Sequence, residues 1–99
     1  MQKHPLDVLK VQDPDLVAMV DDNRDLAFEE GMIPVKYKVL MALAIDAAHG
    51  AANGVRSLAL QAKALGASSE EILEAVRVAA FVAGAGSVYT AAAGLDGVL

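Results

Sequence analysis

A chain of 99 residues with no cysteine, 56% of it hydrophobic and with a formal charge of −5, is one small domain holding more apolar side chain than its own interior can cover. Its basic residues are scattered and its aromatic content is 4%, which excludes a concentrated basic face or a base-stacking platform for nucleic acid. The missing cysteines exclude disulfides, thiolate metal sites and thiol redox chemistry, and fit a cytoplasmic protein.

Residues 1–12 read as a tethered N-terminal arm. Charges run throughout it, no apolar stretch resembles a signal peptide, and His4 belongs to solvent. Residues 13–99 form the helical domain. Asp13-Pro14 is a helix start, a cap followed by proline at the first helical position. Leu16, Met19, Val20, Asn23 and Ala27 follow at helical spacing, and Gly31 ends the helix. Ile33-Pro34 starts the second helix, because the residue before proline is pushed out of the helical region. Residues 39–45 are apolar all round, which predicts burial on every side. Lys36 and Lys38 fall in the first turns of this helix, where the dipole disfavours cations. A carboxylate from Asp21-Asp22 or Glu29-Glu30 is expected beside them.

The second helix ends at Gly50. The third places Val55, Leu58, Ala59, Ala62 and Leu65 on one face and stops at Gly66. Ser68-Ser69-Glu70-Glu71 spells a capping box. Ile72, Val76, Ala79, Ala80 and Ala83 stripe the fourth helix, Gly84-Ala85-Gly86 breaks it, and Ser87 is expected to cap a short last helix ending at Gly94. No alternating β-branched run suggests a strand. The fold class is all-α, a bundle of about five to six helices. Residues 78–95 carry no charge and reach the length of a membrane span, about 18 residues. Alanine and glycine dominate this segment, so it reads as a buried helix pair in an oligomer, with no membrane partner. Small residues at spacing four, as in Ala79-Ala83 and Gly86-Thr90-Gly94, permit close helix approach.

Few polar residues interrupt the apolar helices. Asp46, His49, Asn53 and Arg56 step by three, four and three, and gather at the hairpin tip whether or not the backbone turns at Gly50. In a site, Asp46 can orient the His49 ring for acid or base work and Arg56 can bind a carboxylate. In a purely structural role, Asp46 pairs with Arg56, while His49 and Asn53 bond to carbonyls at a helix end. Tyr89 is a further candidate hydrogen-bond donor to a cavity, or a core filler. No Glu-x-x-His pair and no phosphate-binding glycine loop occur, so no metal or cofactor is expected.

The segment 38–66, KVLMALAIDAAHGAANGVRSLALQAKALG, followed by ASSEEILEAVRVAAFVAG, resembles the carboxymuconolactone decarboxylase / alkylhydroperoxidase-D-like family over roughly residues 12–95. The resemblance implies that family's helical bundle and a homo-oligomer, often a trimer or hexamer. It also implies a Cys-x-x-Cys and a relay Glu and His in the peroxidase branch, and a His at the same place in the decarboxylase branch. The corresponding positions are Val39, Ala51, Gly54 and Leu58, so the nucleophiles and the relay are gone. The expectation is an oligomeric, non-redox protein with a pocket for a small, anionic molecule at the hairpin tip. Two alternatives stand beside it: a lactone decarboxylase-type enzyme using His49, and a structural or interaction oligomer.

Overall fold

The structure is a computed structural model describing residues 4–99. Six helices follow in order: α1 (Asp7–Lys10), α2 (Pro14–Ala27), α3 (Val35–Ala48), α4 (Ala52–Ala64), α5 (Ser69–Ala83) and α6 (Gly86–Leu95). No strand occurs among the described residues.

The long apolar run becomes the axis of the bundle. α3 turns Val39, Leu40, Leu43 and Ala47 inward, against Val55, Ala59 and Ala62 of α4 and Ile72, Val76 and Ala79 of α5. α6 closes the core with Ala91 and Leu95. Leu43, Ile72 and Val55 are the largest fully buried side chains. Each such burial contributes about 1.5–3 kcal/mol. The expectation that α3 is covered on every side is not met within one chain. Met41 and Ile45 stay exposed, because α4, α5 and α6 cover only one side of the helix.

Glycine sets both hairpin turns around α4. At Gly50, φ is 78°, and the N–H of Ala51 reaches back to the Asp46 carbonyl at 2.9 Å while Gly50 donates to Ala47 at 3.3 Å. At Gly66, φ is 94°, and Ala67 donates to Ala62 while Gly66 donates to Lys63. Both are the two-bond helix terminus in which a left-handed residue satisfies the last carbonyls.

The caps at the other helix starts are as written in the sequence, with one exception. Asp13 Oδ1 accepts from the Leu16 N–H at 3.1 Å. Ser68 and Glu71 close the capping box, each side chain accepting from the other's backbone N–H. The exception is Ser87, which lies inside α6 and caps nothing. Ala85 already has helical φ and ψ, so α6 starts at Gly86. The buried Ser87 hydroxyl instead donates to the Ala79 carbonyl at 3.4 Å, tying α6 to α5.

The lysines of α3 find other partners than expected. Lys36 Nζ pairs with Glu71 at 3.2 Å, and Lys38 Nζ donates to the backbone carbonyl of Glu29 at 2.6 Å, not to a carboxylate. α2 ends at Ala27 rather than Gly31, with Phe28 at its C-cap. α1 and α2 pack on each other, and Val17 is buried outside the core. Only Phe28, just past α2, joins the bundle. The Cα radius of gyration is 14.3 Å, above the about 13 Å of a compact chain of this length. The uncharged 78–95 segment is split between α5 and α6, and no helix among the described residues is long and apolar enough to cross a membrane.

Two stability tests follow from this packing. A Cβ added at Gly94 would stand 2.5 Å from the Ala52 carbonyl oxygen and 2.9 Å from Val55 Cβ, and neither can swing aside. Helix propensity alone favours Gly→Ala by about 1 kcal/mol. Here the overpacking cost of about 1–3 kcal/mol should win, so Gly94→Ala is expected to lower the denaturant midpoint. A raised midpoint would show that α6 does not press on the start of α4.

Hydrogen bonding from the Ser68 N–H, and then the Lys36 ammonium, hold the Glu71 carboxyl below its ordinary range. A depressed folded-state pKa gives stability that is present above the unfolded value and is lost as pH falls through the folded one. Glu71→Gln keeps an oxygen for the cap and removes the charge. Its melting temperature should lie below the native chain's at pH 7, with the gap closing below about pH 4. A gap of constant size across that range would assign the loss to capping geometry instead.

Candidate functional site

The α3–α4 tip collects most of the polar side chains singled out in the sequence. Asp46 lies in the last turn of α3, His49 is its C-cap, and Asn53 and Arg56 sit in the first turns of α4. The backbone turns at Gly50, so these residues surround a corner and do not line one helix face.

Asp46 is half-buried, and its carboxylate lies directly over Gly54. A Cβ built at Gly54 would collide with that carboxylate, coming 2.8 Å from Asp46 Cγ. Glycine at 54 is therefore what lets the acid occupy the inside of the turn. His49 and Asn53 are exposed.

Arg56 does not pair with Asp46. Its Nη1 donates at 2.7 Å to the Asp96 carbonyl, at the C-cap of α6. A guanidinium at a helix C-terminus meets unsatisfied carbonyls and the negative end of the dipole, which explains the preference. The three ion pairs among the described residues are Lys10–Asp7, Arg24–Asp21 and Lys36–Glu71. Tyr89 stands apart on α6, 80% exposed, and fills neither core nor cavity.

A distinct concavity lies elsewhere. A groove of about 620 Å³ runs between α5, α6 and the chain end, lined by Leu73, Val76, Val88, Ala91, Leu95 and Leu99, with Asp96 at its edge. Its walls are apolar, and Asp96 supplies its charge. The sequence signalled it only indirectly, as an uncharged stretch that stops at Asp96. Arg56 joins the two places, because the carbonyl it holds belongs to the residue on the groove's rim. No group of three or more acidic or histidine side chains able to hold a metal ion is found among the described residues.

Among curated proteins none matches the sequence. The fold is similar to the ligand-free crystal structure of a carboxymuconolactone decarboxylase family protein from Legionella pneumophila. The TM-score is 0.86, with 25% identity over 92% of this chain and 81% of that one. The sequence itself matches the carboxymuconolactone decarboxylase family over residues 14–96, which include all four helices of the bundle, the Gly50 corner and the acid packed over Gly54. The chain therefore belongs to the carboxymuconolactone decarboxylase family.

Proposed function

We propose that the protein is a non-redox member of its family that assembles as a homo-oligomer, a trimer or hexamer, and binds a small polar molecule at the α3–α4 tip. The observation that carries the reading is Asp46 over Gly54. Position 54 corresponds to the second thiol of the peroxidase branch in the resemblance drawn from the sequence. Here that space holds a carboxylate, so the corner offers a hydrogen-bond acceptor and a negative charge where the branch has a nucleophile. The missing cysteines remove thiol turnover altogether, and support a cytoplasmic setting.

The ligand class shifts from the sequence-based expectation. Asp46 fronts the turn and Arg56 is engaged with the Asp96 carbonyl, so a neutral or cationic hydrogen-bond donor suits the corner better than an anion. In the single chain the corner is open. Most polar tip residues are exposed, so a neighbouring subunit has to close the pocket. The exposed Met41 and Ile45 on the free side of α3 support such an assembly. His49 as a decarboxylase acid or base is the weaker reading, because no hydrogen bond among the described residues orients its exposed ring.

The test is a thermal-shift panel of small polar metabolites on the native chain, with light scattering at micromolar concentration. A ligand at a hundred times its Kd stabilises by about 2.7 kcal/mol, or roughly 10–20 °C in a domain of this size. Asp46→Asn and His49→Ala should abolish that shift while leaving the ligand-free melting temperature nearly unchanged. Gly54→Ala should act the same way. Its methyl turns the carboxylate aside, while the gain in helix propensity, about 1 kcal/mol, offsets the crowding. A shift that survives all three substitutions would sink the site, and a well-folded monomer would sink the assembly. Thiol-dependent peroxide turnover is expected to stay at the level of a heat-killed control.

A further inference from the structure

The N-terminal helix pair has no surface of its own to lie on. Between Asp13 and Glu30 the chain carries seven acidic side chains against one arginine, whereas from Val35 onward acidic and basic residues balance at five each. α2 nevertheless presents an apolar stripe: Leu16, Met19 and Val20 are all exposed, Met19 to 60%. A lone helix of 14 residues is marginal in water, so α2 needs something to lie against.

A matching surface lies on the outside of α5. Arg77, Val78, Phe81 and Val82 share one helical face. The three apolar members are exposed, Phe81 to 91%. Arg77 is the one charged side chain between Ala75 and Leu95, and it has no ion pair among the described residues. The two helices are 14 and 15 residues long, about 21 and 22 Å, so they can lie along each other over their full length.

The α1–α2 pair of the same copy does not reach this face. Phe28 seats the end of α2 beside Val35 and Val39 of α3 and Gln61 and Leu65 of α4, and the Lys38–Glu29 hydrogen bond fixes the turn that follows. α4 and α5 meet chiefly through α3, which puts the outer face of α5 on the opposite flank.

We infer that α2 of one copy docks on the outer face of α5 of a second copy. Its apolar stripe covers Val78, Phe81 and Val82, and its carboxylates surround Arg77. The inference rests on the homo-oligomer proposed above and names the surfaces that build it. Opposite charge sets the orientation of the contact, and apolar burial holds it.

The cysteine-free sequence makes the test direct. Met19→Cys and Phe81→Cys are made in separate full-length copies of different tag length, co-expressed, and treated with a short thiol cross-linker. Both positions are exposed in the single chain, so neither change disturbs the core. The expected result is an oligomer by light scattering whose mixed 19–81 product is several-fold more abundant than the 19–19 and 81–81 products. Arg77→Glu in the Phe81→Cys copy should cut the mixed product several-fold. An oligomeric sample that yields only the 81–81 product would show α5 meeting α5, and would overturn the inference while leaving assembly intact. An oligomer with no cross-linked product would do the same. A monomeric sample would overturn the inference and the assembly together.

Discussion

The packing of α3 against α4 organises everything else. It joins two helices through one glycine turn and places Leu43 and Val55 in one core, where the other fully buried residues of α4 are Ala59 and Ala62. Small side chains bring the axes close, and closeness is what a short chain has in place of a large interior. α6 exploits the same economy from the other side, where Gly94 lies against the first turn of α4. The arrangement leaves little room for substitution at these seams and much freedom outside them.

Outside the seams, the molecule separates its chemistry by region. Negative charge collects in the first third of the chain, the bundle is nearly neutral, and the stretch from Val78 to Leu95 carries no charge at all. Apolar side chains are exposed in each region. A monomer so built would expose apolar surface on several flanks, each with its own electrostatic character. Surfaces of that kind specify how copies meet, since burial drives contact and charge rejects wrong pairings.

The bundle was legible in the sequence because its signals are local. Proline after Asp13, the Ser68–Glu71 box and glycines after each apolar run act within a few residues, and the helices stop close to where they say. What was not legible depended on distance. The sequence offers Asp46, ten positions away, as one of two partners for Arg56, the other being a bound carboxylate, yet the guanidinium reaches a carbonyl forty positions on, at the end of another helix. Ser87 had the composition of a cap and became a tie between helices, since its neighbour Ala85 was already helical. The four tip residues do gather at one corner, because a hairpin turn brings its own flanks together. That they ring an open corner and not a cavity follows from how the helices splay, which spacing does not encode. The groove between α5 and α6 was hidden for the same reason, being a product of packing.

The Asp46–Gly54 contact also bears on how such a chain can change. The two positions are eight apart in sequence but share one small volume, so a substitution at either is judged in the presence of the other. A thiol arriving at 54 would meet a carboxylate already in its place, and would be held beside a negative charge that disfavours the thiolate. Installing a thiol at 54 therefore has a preferred order, in which the acid at 46 is removed before the cysteine is added. The corner thus acts as a ratchet, since glycine at 54 is easier to keep than to replace while Asp46 stands over it.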